Sequence, residues 1–333
     1  MTKKIISIIL CVLLVMTTCL GLCSCKNKKS EEFPVTVGGV TLESEPKNIV
    51  VLSPELIDII SCIRYDMKII GRTIECDQEF LATIPTVGSE DEPDTSAIIA
   101  SKPDLVITSK PLSAPVANSL KKAEIPVATF KLATNFSELE KLYKNLGTLL
   151  GGKTAGVNQA TKYYKELLAS LDRFQESVPK DIIATACYLY LDENGTLCTF
   201  TTGSIEEKIF SYCGAKNSLT DQQSPQVDLQ VLRLSTPLYI FVNDVQVIHY
   251  LKSQDELQNM HAIMYDKIFV VRKTDFNRHG DTMQGIIYDM MVNMFKKEEI
   301  PQATVDEATP DEITPVTEEP AILQATEEQP LEY

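Results

Sequence analysis

The chain has 333 residues, 46 acidic against 31 basic, with a formal net charge of −15 and no tryptophan. That balance argues against a nucleic-acid partner, which needs a basic face. The length and an apolar content of 44% suit two domains of ordinary size or one bilobal body.

Lys3 and Lys4 precede an almost wholly apolar run from Ile5 to Leu22, and Ser24 stands just before Cys25. This is the pattern of a secretory signal over residues 1–24 that ends in a lipobox. Cys25 is then the lipidated N-terminus of the mature chain. The expected location is extracytoplasmic, anchored by lipid to the outer face of the cytoplasmic membrane. The run is about as long as the ~20 residues of a membrane span, so an uncleaved anchor is the alternative; the small residue before Cys25 favours cleavage. Residues 25–47 read as a lipidated tether that leads into a first strand.

From residue 48 to 150 strands and helices alternate. Ile49-Val50-Val51-Leu52 is a short apolar run, fit for a strand buried on both faces. Ser53-Pro54-Glu55 follows as N-cap, first-turn proline and first-turn acid, opening a helix through Leu56, Ile59, Ile60 and Ile63. Lys68 to Gly71 is a strand. Asp94 or Thr95 caps a helix that Lys102-Pro103-Asp104 stops, and Leu105 to Thr108 is the next strand. Ser119 to Ala123 closes a helix before a strand over Ile125 to Phe130. This order implies an α/β lobe with a mainly parallel sheet. Ser137-Glu138-Leu139-Glu140 reads as a capping box, and Gly151-Gly152 breaks the helix it starts. Residues 151–178 read as a long spine helix, whose Ala160, Tyr164, Leu167, Leu171, Phe174 and Val178 form one apolar seam.

Residues 179–297 repeat the alternation as a second α/β lobe. A hairpin pairs Ile182–Leu191 with Leu197–Phe200 over Asn194-Gly195, a two-residue turn signal. Ser204 caps a helix to Cys213, ended by Gly214, and Asp228 caps another that ends near Pro237. Leu238–Val242 and Lys267–Val271 are strands, and Thr282–Phe295 is the last helix. Residues 298–333 hold 11 acids and no Lys or Arg, the composition of a disordered acidic tail. Five cysteines follow Cys25: Cys62, Cys76, Cys187, Cys198 and Cys213. An odd number leaves at least one unpaired, and without a CxxC a zinc cluster is unsupported. Cys187 and Cys198 flank the turn but do not face each other in a two-residue register, which argues against a bridge.

Several segments occur in a familiar order: Ile49 to Glu55, Ile69-Ile70-Gly71, Pro85 to Gly88, Lys102 to Val106, then Gly214 to Asn217, Pro225-Gln226-Val227 and Phe276-Asn277-Arg278. With a spine helix between the two halves, residues 48–295 resemble the helical-backbone substrate-binding lipoproteins of ABC importers, a family that takes up vitamin B12, ferric siderophores and haem. The resemblance implies two Rossmann-like α/β lobes joined by one long helix, with ligand in the cleft between them. It also implies delivery to a membrane permease driven by a cytoplasmic ATPase, and no catalysis. The expected ligand is an iron complex or a corrinoid, with no resident cofactor and a monomeric chain. Members of the family dock through a glutamate at each lobe tip. The matching positions here are Ser96 and Gln230, neither acidic. Glu92, Asp94 and Asp228 stand near enough to substitute, or the register is off by a residue or two. An anchored binding or scaffold module of the same fold without transport is therefore the alternative function.

Candidate ligand contacts lie on loops at the strand ends: Arg72, Glu75, Cys76, Asp77, Ser89, Glu90 and Lys110 in the first lobe, and Thr202, Ser204, Gln223, Asn243 and Arg278 in the second. Arg72 and Arg278 offer bidentate forks for carboxylate or phosphate, or serve as salt-bridge partners. Asp77 after Cys76 fits a pattern of B12-type members, although Gln78 replaces the usual aromatic companion. Without tryptophan, stacking on a corrinoid or haem falls to Tyr and Phe. His249, His261 and His279 are too scattered for a metal site. No nucleophile elbow, Walker loop or GxGxxG is present, so an enzyme is not expected.

Overall fold

The computed structural model describes residues 32–180, 183–220 and 222–295. The signal, Cys25, Ile182 and the acidic tail lie outside the described residues. A hairpin of β1 (Val35–Val37) and β2 (Val40–Leu42) comes first. Its turn is Gly38-Gly39, with φ of 64° and 82°, the left-handed pair that a tight hairpin needs.

The first lobe follows as β3 (Ile49–Val51), α1 (Pro54–Cys62), β4 (Ile69–Arg72), α2 (Thr95–Ser101), β5 (Leu105–Thr108), α3 (Ala114–Lys122) and β6 (Val127–Thr129). Its four strands are all parallel, in the order β4-β3-β5-β6. The Ser53 hydroxyl accepts the Leu56 N–H at 3.3 Å, and Pro54 occupies the first turn, as the sequence predicts. The central strands β3 and β5 are buried on both faces, which is why they read as unbroken apolar runs.

The middle is two helices with a break at the glycine pair, as the sequence predicts. Helix α4 (Phe136–Gly151) starts at Asn135, whose side chain accepts the Glu138 N–H at 3.0 Å. The Glu138 carboxylate in turn accepts from the Thr134 backbone and hydroxyl. The cap therefore lies two residues before the expected Ser137, because Asn135 and Glu138 offer the same three-residue spacing one half-turn earlier. Gly152, with φ of 95°, leads into a π turn over Gly152–Gly156. The spine proper is α5 (Val157–Ser177), about 30 Å long at 1.5 Å per residue. Ala160, Tyr164, Leu167 and Leu171 of its seam are buried; Phe174 and Val178 are only partly so.

The second lobe contains β7 (Ala184–Leu191), β8 (Leu197–Cys198), α6 (Ile205–Tyr212), β9 (Ala215–Asn217), α7 (Leu229–Ser235), β10 (Tyr239–Val242), α8 (Val245–Lys252), α9 (His261–Met264), β11 (Ile268–Val270), α10 (Lys273–Phe276) and α11 (Asp281–Phe295). Strand order is β11-β10-β7-β8, with β9 beside β7. Only β8 runs antiparallel. The β7–β8 register pairs Tyr190 with Cys198 and Leu191 with Leu197. The loop is thus three residues, Glu193 to Gly195, with Gly195 at φ 76°, instead of the two-residue turn expected from Asn194-Gly195. Asp192 selects it by accepting the Asn194 and Thr196 N–H groups. Cys187 and Cys198 do not bridge, and the five cysteines of the body are free and buried.

The two lobes share one core. Ile49 and Val51 of β3, Leu105 and Ile107 of β5, Ala184, Ala186 and Tyr188 of β7, and Phe241 of β10 enter a single cluster with the α5 seam. The alternate residues, Val50 and Val106 on one side and Cys187, Leu189, Ile240 and Val242 on the other, fill separate outer cores. The period of two along each strand thus divides every sheet between a shared inner core and a private outer one. Continuous packing across the middle resists hinge motion.

Candidate functional site

The ends of both parallel sheets carry loops that meet across the lobe boundary. On the first lobe, Arg72 ends β4 and turns inward. Its guanidinium donates to the carbonyls of Leu81 (3.0 Å), Cys76 (2.8 Å) and Thr73 (3.3 Å). It shapes the loop over residues 73–81, a role different from both the bidentate fork and the salt bridge that the sequence offered for it. Cys76 is fully buried beside Thr73, and burial pushes its thiol up to about 11, so it is packing and not a contact surface. The Glu75 carboxylate accepts the Glu90 N–H at 3.1 Å. Glu90 accepts from the Ser109 hydroxyl at 2.8 Å and lies 3.6 Å from Lys110, whose ammonium also pairs with Asp91. Burial raises the Glu90 pKa above its ordinary value. Ser89 caps the turn by accepting the Glu92 N–H.

The second lobe answers through Arg272, Asp275 and Arg278. Arg278 is 4% exposed. It donates to Asp77 (2.7 Å) and the Glu75 carbonyl (3.0 Å) of the first lobe, and to Asp275 (3.1 Å). Arg272 donates to Asp77 at 2.6 Å and to Asp275. Burial pushes the Asp77 carboxyl up, but the two guanidinium groups outweigh it and leave its pKa below the usual range. Arg278 is therefore a buried tie between lobes, which is the salt-bridge role the sequence offered beside the ligand clamp. Beside it, Asp58 of α1 accepts the Gly280 N–H and the Thr282 hydroxyl, both at 2.6 Å. Asp58, Asp77, Phe80, Arg272, Arg278 and Ile286 are among the residues lining a hollow of about 430 Å³ at this junction.

The remaining second-lobe candidates divide. Ser204 caps α6 and lines another junction hollow of about 450 Å³, with Phe136, Tyr164, Leu168, Lys208 and Tyr212. Thr202 and Gln223 lie exposed on neighbouring loops, where the Thr202 N–H donates to the Gln222 carbonyl. Asn243 follows β10, and its side-chain oxygen is buried without a hydrogen-bond partner. Among the described residues, no three His, Cys, Asp or Glu side chains are grouped to hold a metal.

Two sheets with facing loops and a connecting helix match a known architecture, and residues 68–274 match the family described as periplasmic binding protein. The chain belongs to the periplasmic binding protein family. An uncharacterised ABC transporter substrate-binding lipoprotein of Bacillus subtilis is 25% identical over 266 residues, 76% of this chain and 83% of that one. Among solved structures of the same fold are a possible iron-binding protein of Staphylococcus epidermidis and a periplasmic haem-binding protein of Pseudomonas aeruginosa. The first has TM-score 0.63 and 18% identity and covers 75% of this chain and 99% of its own. The second has TM-score 0.59 and 17% identity and covers 76% and 94%. The vitamin B12 binding protein of Vibrio cholerae shares the fold at TM-score 0.52 and 17% identity, covering 74% and 96%.

In this periplasmic binding protein Ser96 and Gln230 occupy matching places, each the second residue of a seven-residue helix, α2 or α7. Both are exposed. Asp94 and Asp228 cap these helices by accepting the next two free N–H groups. Each helix ends on a left-handed residue, Lys102 or Thr236, before a proline. The lobes thus repeat one device, and the Asp94 and Asp228 carboxylates are engaged in capping. Replacing Asp94 or Asp228 by alanine is expected to cost about 1 kcal/mol each, read as a lower urea midpoint.

Sequence reasoning missed Arg272, Asp275, Asp58 and a buried aromatic cluster of the second lobe. Tyr188 stacks on Phe200 at 4.4 Å, Phe276 meets both rings, and the Lys273 ammonium sits 3.6 Å from the Tyr190 ring centroid. The only local signal was alternation of aromatics along β7, Tyr188 and Tyr190.

Proposed function

We propose that this protein is a lipid-anchored receptor that captures an iron complex or a corrinoid between its lobes and hands it to an ABC permease with its ATPase. The observation that carries this reading is the pair of facing loop clusters on two sheets that share one core through α5. Such a body offers a preformed cleft with little hinge freedom. The Bacillus relative's description as a lipoprotein agrees with lipidation at Cys25. The haem-, iron- and B12-binding proteins of the same fold supply the ligand class. A scaffold role without transport is the second reading, favoured by Ser96 and Gln230 at the tips.

Thermal unfolding of the full chain in detergent, against cobalamin, cobinamide, haem and ferric siderophores, tests the receptor. A ligand at 100 times its dissociation constant adds about 2.7 kcal/mol, expected as a raised midpoint for one class. Absence of any shift overturns the reading. Uptake by vesicles that carry an ABC permease with its ATPase, with and without this protein, separates transport from scaffolding.

A further inference from the structure

We infer that Lys273 selects the ligand, by binding an anionic oxygen of it on the second-lobe wall of the cleft; the inference rests on the receptor reading above. The basic groups around it are already engaged. Arg72 donates to three carbonyls, Arg278 and Arg272 to Asp77 and Asp275, and Lys110 pairs with Glu90 and Asp91. Lys273 differs. It opens α10, next to Arg272, in the segment that contacts the first lobe. It is half-buried, and no carboxylate stands in ion-pair range of its ammonium among the described residues. Its ammonium has no hydrogen-bond partner, yet it is not among the sealed unpartnered atoms of the body, so one side stays open.

The Tyr190 ring under the ammonium holds it in place without neutralising it. Burial lowers the Lys273 pKa, a sign of charge held with too little solvation. Glu206 acts on it only through space, and burial keeps the nearby Cys198 thiol protonated. A ligand oxygen reaching the open side restores the missing acceptor through a charge-assisted hydrogen bond. The ligand is therefore bound with its anionic end toward Lys273.

The test titrates the full chain, as wild type, Lys273→Met and Lys273→Arg, with two anionic probes, haemin and a ferric tris-catecholate. Two probes without free anionic oxygens, ferrioxamine B and dicyanocobinamide, are titrated beside them. Wild type is expected to bind an anionic probe. Lys273→Met should weaken that binding by about 10- to 100-fold, the range of a hydrogen bond to a charged group. Lys273→Arg should restore most of it, and affinity for the non-anionic probes should not fall. A merely structural lysine would alter thermal midpoint and all probes together. Equal binding of the anionic probe by Lys273→Met and wild type overturns the proposal, as does wild-type binding confined to the non-anionic probes, which leaves the receptor reading intact. Binding of none of the four overturns both.

Discussion

Replacing Gly156 by alanine is expected to destabilise the protein by about 3 kcal/mol or more, at the upper end of overpacking effects. Helices α4 and α5 meet at two glycines, Gly147 inside α4 and Gly156 at the end of the π turn. A Cβ on Gly156 would lie 1.9 Å from the Gly147 carbonyl oxygen, and one on Gly147 would lie 2.4 Å from the Gly156 oxygen and 2.6 Å from Ala160 Cβ. The obstacles are backbone atoms, which cannot turn aside as a flexible side chain can. Relief requires the two helices to separate, and their contact is where the first lobe joins the spine. The loss should appear as a lower urea midpoint at unchanged slope. Gly285, inside α11, has nothing within 4 Å of its Cβ position, so Gly285→Ala should instead gain about 0.5–1 kcal/mol from helix propensity. An unchanged midpoint in Gly156→Ala would show that the helices are not in backbone contact.

The fold was legible where the cause is local. β3 and β5 announce themselves as apolar runs because both faces of a parallel sheet are covered. Ser53, Asp94, Ser204 and Asp228 announce helices because a cap and the N–H group that donates to it are two or three residues apart. Errors came where two local solutions compete. Asn135 and Ser137 each precede a glutamate by three residues, and only packing decides between them. Asn194-Gly195 permits a two-residue turn, but the Asp192 side chain favours the longer loop. The site was less legible, because its bonds span the chain. Asp77 meets Arg272 and Arg278 across about two hundred residues. Arg72 found carbonyl acceptors in its own loop, which any guanidinium can use and no residue type advertises. Lys273 stands out only once the partners of its neighbours are known.

The junction of α1 with the start of α11 holds two buried titrating groups whose effects on stability oppose each other. Asp58 is 3% exposed, and burial raises its pKa from 3.8 to about 6 despite its hydrogen bonds from Thr282 and Gly280. A carboxyl raised by folding stabilises the native state fully below pH 3.8, and that contribution is lost as pH rises through 6. A shift of roughly two units corresponds to about 3 kcal/mol. His279, 5% exposed, is lowered by burial from 6.5 to about 4, and its Nε2 has no partner to receive a proton's charge. Its contribution is complete above pH 6.5 and is lost as pH falls through 4, again about 3 kcal/mol. Between pH 6.5 and 4 the two slopes nearly cancel. Asp58→Asn removes one of them and keeps an acceptor for Gly280, so the variant is expected to lose about 3 kcal/mol relative to wild type between pH 7 and 4. His279→Gln leaves the other and should gain by a similar amount over the same range. Carboxyls lowered by folding, such as Asp77, lose their contribution as pH falls through their ordinary range and do so alike in variant and wild type, so they drop out of the difference. Stability differences between each variant and wild type, measured by denaturant unfolding at pH 4, 5, 6 and 7, isolate these terms from the rest of the titration. An Asp58→Asn curve parallel to wild type would mean that Asp58 is ionised in both states, and that the tie from α1 to Gly280 is open to water.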